Sequence, residues 1–302
     1  MGARNETAEG GTAPLRIRPF ERLQGIEYRM PVASAQVKSC LLLAGMFAQG
    51  DTCVREPAPT RDHTERMLQG FGYPVRRDGQ SVCVSAGGRL RARDIDVPAD
   101  ISSAAFFLVG ASIAKDSDLL LEHVGMNPTR DGVINILRMM GADIQVLNLR
   151  EFGGEPVADL RVRSALLRGV RIPRDQVPLA IDEFPALFVA AACAEGETVL
   201  TGAEELRIKE SDRIQAMADG LQTLSVAAHS TRDGIVIQGG PKIGGGAVNS
   251  HGDHRIAMAF AIAALRADRE IAITDCANVN TSFPGFVELA RAAGLRVAAA
   301  HG

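Results

Sequence analysis

The chain has no tryptophan and only two tyrosines in 302 residues, so the expectation is a mainly aliphatic core of Ala, Val, Leu, Ile and Met. It also lacks a basic excess. The formal net charge of −3 argues against nucleic acid as a partner, because a phosphate backbone calls for a surplus of Lys and Arg. No apolar run reaches the ~18 residues of a membrane span, which argues against a membrane partner. Met1–Pro14 is polar and Gly-rich without an apolar stretch, so it reads as a flexible leader or loop and not as a secretory signal. The five cysteines, Cys40, Cys53, Cys83, Cys193 and Cys276, show no metal-ligand or redox spacing. Most sit in apolar runs and read as small core residues of a reducing, cytoplasmic compartment.

What the chain does have is a repeat. A 46% apolar chain of this length can bury two cores, roughly ~150 residues each. A unit of about 70 residues recurs four times. Each copy opens with a short polar group ahead of an apolar helix: Ser34-Ala35-Gln36, Ser102-Ser103, Asp182-Glu183 and Asp253-His254-Arg255. A β-like run follows each helix. A second, amphipathic helix comes next, opened by Thr60-Arg61-Asp62, Thr129-Arg130-Asp131, Glu210–Arg213 or Thr281-Ser282-Phe283. Helices apolar all round must be enclosed, so the pattern predicts apolar helices inside with sheets and amphipathic helices outside. Leu15–Tyr28 reads as a closing hairpin, and the best domain boundary lies near Asp96-Val97-Pro98.

The charged motifs fall at helix starts. Free N–H groups and the helix dipole make such ends attractive to anions, and several aimed at one cleft make an anion site. Ser34, Gln36, Arg61, Lys209, Arg213 and Arg255 stand there. Ser and Thr at these positions read equally as plain N-caps, and Arg61 as a solvated charge matched by Arg130 in the next unit. The segment Leu206–Arg213 carries five charged residues from Arg207 onward. Lys209 and Arg213, about one helical turn apart, can clamp a carboxylate or phosphate. Glu210 between them can move a proton; intrahelical ion pairs are the competing reading. Asp182 and Glu183 open an apolar helix, and a carboxylate there is a cap or a general base, since burial raises a carboxyl's pKa while a helix start lowers it. His251, Asp253 and His254 invite a metal, but Arg255 among them favours an anion.

Taken in order, Ser34–Ser39, Thr60–Glu65, Asn127–Arg130, Asp182–Pro185, Leu206–Arg213, Asp253–Met258 and Thr281–Pro284 closely resemble 5-enolpyruvylshikimate-3-phosphate synthases, in particular the bacterial class II type. The resemblance covers about residues 15–300. It implies an inside-out α/β barrel of βαβαββ units in two domains, with residues 1–97 a remnant of the first domain and 98–302 the three-unit second. It implies transfer of the carboxyvinyl group of phosphoenolpyruvate to the 5-hydroxyl of shikimate 3-phosphate, in aromatic amino acid biosynthesis, without metal or cofactor. Ser34, Ala35, Gln36 and Arg61 would hold shikimate 3-phosphate, and Gln36 would also approach phosphoenolpyruvate. Asp182 would take the 5-hydroxyl proton, and Glu210 would protonate the methylene carbon. Lys209, Arg213 and Arg255 would grip the phosphoenolpyruvate anions, with Lys209 also near the first substrate. Asn280-Thr281-Ser282 lacks a Lys that many members carry there, as the class II type does.

The resemblance also implies six units where four are found. The expectation is therefore a monomer that is a poor synthase alone, or a fragment that only binds phosphorylated ligands or turns over with a complementing N-terminal fragment.

Overall fold

The computed structural model describes residues 1–19 and 21–299. The chain divides into two compact units, Met1–Val97 with Glu151–Glu155, and Pro98–Arg150 with Pro156–Gly302. Among the described residues, no helix is long and apolar enough to cross a membrane.

The first unit opens with two short strands, β1 (Asn5–Glu6) and β2 (Arg16–Ile17), paired antiparallel. The expected leader thus contains a strand, and the expected Leu15–Tyr28 hairpin does not form. Arg18 doubly bonds the Glu6 carboxylate at 2.8 and 3.1 Å, which favours pairing back toward residue 5. The repeat itself follows: β3 (Glu27–Arg29), α1 (Ala35–Gly45), β4 (Asp51–Arg55), α2 (His63–Gly70), β5 (Val75–Asp78) and β6 (Ser81–Ser85). The sheet order is β3-β4-β6-β5, with β3 and β4 parallel. Leu42, Val54, Leu68, Tyr73, Val82 and Val84 form its small core.

Two expectations fail in this unit. The cysteines are not all isolated: Cys53 and Cys83 form a disulfide. Thirty residues separate them, but the antiparallel register of β4 and β6 sets them directly opposite, with Cα atoms 4.1 Å apart. Register is invisible to sequence spacing. Nor is α1 enclosed. Leu42 and Gly45 face the sheet, while Val37 and Leu43, and Phe47 just past the helix end, are exposed, Phe47 to 80%.

Three further copies of the repeat follow, in the second unit apart from Glu151–Glu155. These are α3 (Ile101–Ile113), β7 (Asp118–Gly125), α4 (Gly132–Met139), β8 (Asp143–Phe152) and β9 (Glu155–Arg163); then α5 (Phe184–Cys193), β10 (Gly196–Leu200), α6 (Arg213–Thr223), β11 (Ala227–Thr231) and β12 (Gly234–Gly239); then β13 (Gly246–Asn249), α7 (His254–Ala263), β14 (Ile271–Thr274), α8 (Val279–Ser282) and α9 (Phe286–Ala292). The three apolar helices α3, α5 and α7 pack on one another, as the pattern predicts, and the sheets cover their outer sides, because a helix with no polar face must be covered all round. Around them lie separate sheets, β7-β9-β8, β10-β12-β11 and β13-β14, and no single closed barrel among the described residues. One cluster from Ile101 to Leu295 forms the core. The last amphipathic helix starts later than expected. Residues 279–282 make one short turn, and α9 begins after Gly285, whose positive φ redirects the chain.

Candidate active site

In the first unit, Ser34 is the N-cap of α1 and accepts from the Val37 N–H at 3.3 Å, so the capping reading holds for it. Ala35 and Gln36 form the first turn, and Ser34 Oγ lies 3.4 Å from Gln36 Oε1. Arg61 stands in the loop before α2. Two links tie the two helix starts together. Ser39 Oγ and Thr64 Oγ1 are 2.7 Å apart. The fully buried Lys38 pairs with Glu56 at 3.0 Å and Glu65 at 2.7 Å, and Glu56 in turn accepts from Thr60, next to Arg61.

In the second unit the predicted residues converge. The 3-10 turn Glu204–Ile208 ends at Lys209, and Asp212 caps α6 by accepting from the Gln215 N–H at 3.0 Å. This bend, and not helical spacing, brings the two cations together. Lys209 Nζ lies 3.6 Å and Arg213 Nη1 3.7 Å from the same Asp182 oxygen. The competing intrahelical pairs form as well: Lys209 bonds Glu205, and Arg213 Nη2 bonds Glu210 at 2.6 Å. Arg255, in the first turn of α7, donates from Nη1 to the Asp182 carbonyl at 2.9 Å. Asp182, Lys209, Glu210, Arg213 and Arg255 therefore share one place, where α5, α6 and α7 begin.

Three groups whose partners the sequence did not disclose hold this place together. Asp253 is the N-cap of α7, accepting from the Arg255 N–H at 2.9 Å, and it bonds Arg213 Nε at 2.7 Å and Ser211 Oγ at 3.1 Å. Its neighbours therefore include a guanidinium on one side and a helix start on the other. Burial pushes the Asp253 carboxyl up, but the Arg213 hydrogen bond and charge outweigh it and hold the group below the usual carboxylate range. His254 is shifted down, by burial and then by Arg255. Glu183 and Ser102 are the other two. Ser102 donates to Glu183, while Arg130 bonds Ser102 and also Asp100 at 3.2 Å. Ser102 therefore does not cap α3; Asp100 does, accepting from the Ser103 N–H at 3.1 Å. Burial raises the Glu183 carboxyl against Ser102, Arg130 and Arg255. A contiguous Asp-Glu pair gives no sign in sequence that one side chain turns inward.

One donor stands out. Arg213 is fully buried, yet among the described residues its Nη1 finds no hydrogen-bond acceptor. A buried guanidinium N–H without an acceptor costs free energy, which an anionic acceptor placed there would offset.

The family profile described as EPSP synthase (3-phosphoshikimate 1-carboxyvinyltransferase) matches residues 1–289. A relative named 3-phosphoshikimate 1-carboxyvinyltransferase from Alkalilimnicola ehrlichii is 72% identical over 98% of this chain and 66% of its own length. Another of that name, from Methylococcus capsulatus, is also 72% identical, over 98% of this chain and 68% of its own. A solved EPSP synthase from Acinetobacter baumannii matches with a TM-score of 0.92 at 56% identity, covering 98% of this chain and 68% of that one. The chain thus spans about two thirds of the length of the relatives it matches. It belongs to the EPSP synthase, or 3-phosphoshikimate 1-carboxyvinyltransferase, family of enzymes.

Proposed function

We propose that this chain transfers the carboxyvinyl group of phosphoenolpyruvate to the 5-hydroxyl of shikimate 3-phosphate, releasing phosphate. The observation that carries this reading is the convergence of Lys209 and Arg213 on Asp182, with Arg213 Nη1 lacking an acceptor. Lys209, Arg213 and Arg255 bind the phosphate and carboxylate of phosphoenolpyruvate. Ser34, Ala35, Gln36 and Arg61 bind shikimate 3-phosphate. Asp182 accepts the 5-hydroxyl proton as the hydroxyl oxygen bonds to C2 of phosphoenolpyruvate. Glu210 gives a proton to C3, making a methyl group and a tetrahedral adduct. The adduct collapses when C3 returns a proton and the C2–O bond to phosphate breaks. Fixed cations stabilise the charge that builds in these steps, an effect typically of several kcal/mol when the site is pre-organised.

Phosphate release that requires both substrates tests the proposal. Asp182→Asn is expected to lose about 10²–10⁴-fold in kcat, as removal of a general base does, with calorimetric binding of shikimate 3-phosphate retained. Turnover by the variant at the parent rate refutes the base assignment, and a chain that binds neither substrate refutes the function.

The exposed apolar residues of α1 and of the turn after it favour a second reading. Val37, Leu43 and Phe47 lie open, whereas α3, α5 and α7 cover one another. On this reading the chain is a monomer that turns over in the cytoplasm only with a complementing polypeptide of the same repeat packed on α1. Mixing such a polypeptide with the chain raises phosphate release if so; an unchanged rate removes the reading.

A further inference from the structure

Glu183 occupies the N-cap position of α5 but makes no capping bond, and its side chain is turned inward, 1% exposed. Three elements meet on one of its oxygens. From α3, Ser102 donates its hydroxyl to Oε1. From the turn before α4, Arg130 Nη2 lies 3.6 Å away and also bonds Ser102. From α7, Arg255 Nη1 lies 3.7 Å away. The same Arg255 nitrogen donates to the carbonyl of the adjacent Asp182 at 2.9 Å. Asp182 is the remaining charge beside the group, and Asp100 holds the far side of Arg130 at 3.2 Å.

Two guanidinium groups therefore flank one carboxylate at the starts of three apolar helices. Without Glu183 the pair of cations, together with the positive helix ends, would repel. Among the described residues, the Asp182 carbonyl is the other acceptor that holds the Arg255 guanidinium. Arg130 pairs with Glu183 and Asp100.

We propose that Glu183 is a positioning residue: it is the buried counter-charge that fixes the Arg255 guanidinium beside Asp182, and Arg130 with Ser102 fixes Glu183 in turn. This rests on the function proposed above only for its kinetic consequence; the ordering of Arg255 stands independently.

The kinetic arm uses the full chain. Glu183→Gln keeps an acceptor for Ser102 and removes the charge. The Michaelis constant for phosphoenolpyruvate should rise on the order of tenfold, as loss of a supporting partner typically does, while kcat stays within about twofold. Adding Arg130→Gln removes one of the two opposed cations and restores the local balance, so the double variant should bind phosphoenolpyruvate better than Glu183→Gln alone. An unchanged or lowered Michaelis constant in Glu183→Gln, or a double variant worse than the single one, overturns the proposal. The second arm needs no turnover. The Arg255 Nε–H resonance, assigned through Arg255→Lys, should be sharp in the parent and broadened in Glu183→Gln. If Glu183→Gln does not fold, Ser102→Ala, which removes only the hydroxyl holding Glu183, should give the same broadening to a lesser degree. A resonance unaffected by either change refutes the positioning role, whereas a parent chain without turnover but with the expected broadening refutes only the function.

Discussion

Asp253→Asn isolates the charge that holds Arg213 in the interior. Both side chains are almost entirely buried, at 1% and 0% exposure, and their Nε–Oδ2 distance is 2.7 Å. The amide keeps an oxygen for the Arg255 N–H, so the α7 cap is preserved while the negative charge is lost. Removing one partner of a buried pair costs about 3–5 kcal/mol, because the other charge is left in a medium that solvates it poorly. Glu210 remains on Arg213 Nη2 at 2.6 Å, which favours the lower end of that range. Asp253→Ala also removes the cap and should cost about 1 kcal/mol more.

Urea unfolding reads this out. At a slope of about 2–3 kcal/mol/M, a loss of ~3 kcal/mol moves the midpoint down by about 1 M or more. Far-UV circular dichroism reports the helices. Tyrosine fluorescence is an internal reference, since both tyrosines, Tyr28 and Tyr73, lie in the first unit and tryptophan is absent. The dichroism midpoint should fall more than the tyrosine midpoint. Acid supplies a second check. Asp253 is held below its ordinary value in the folded chain, so its contribution is complete above the unfolded pKa of about 3.9 and disappears as pH falls through the folded value. Parent and Asp253→Asn stabilities should therefore converge on acidification below about pH 4. A midpoint within about 0.3 M of the parent at neutral pH, or a gap that persists undiminished in acid, refutes the reasoning.

Other outcomes follow from single contacts. Gly220→Ala should destabilise the second unit, although Ala favours an ordinary helix by about 1 kcal/mol. A Cβ there would stand 2.2 Å from Phe260 Cζ, and thermal melting gives the sign. Lys38→Met leaves Glu56 and Glu65 buried without their shared cation, so the tyrosine-detected midpoint should fall by the equivalent of about 3–5 kcal/mol. Cys193 should resist alkylation at pH 8, because burial pushes its thiol up to about 12, while exposed Cys40 reacts; mass spectrometry of the labelled chain decides.

The fourfold repeat was legible because apolar and amphipathic helices alternate along the chain and helix-start residues recur at matching points. It correctly gave helices inside in the second unit, where three equivalent helices enclose one another. It failed for α1 because whether a helix is enclosed depends on its neighbours, which its own sequence does not state. The site motifs were legible as well: Asp182, Lys209, Glu210, Arg213 and Arg255 meet as their types suggested.

What sequence determined by itself was which charged groups stand at the helix starts, where free N–H groups and the helix dipole favour anions. Tertiary structure alone decided the pairings. It turned Asp253 from a candidate ligand into the counter-ion of Arg213, set Glu183 between Arg130 and Arg255, and joined Cys53 to Cys83. Each of these depends on strand register or on helix packing across many residues of chain, and a linear pattern fixes which groups are available but not which of them are brought within bonding distance.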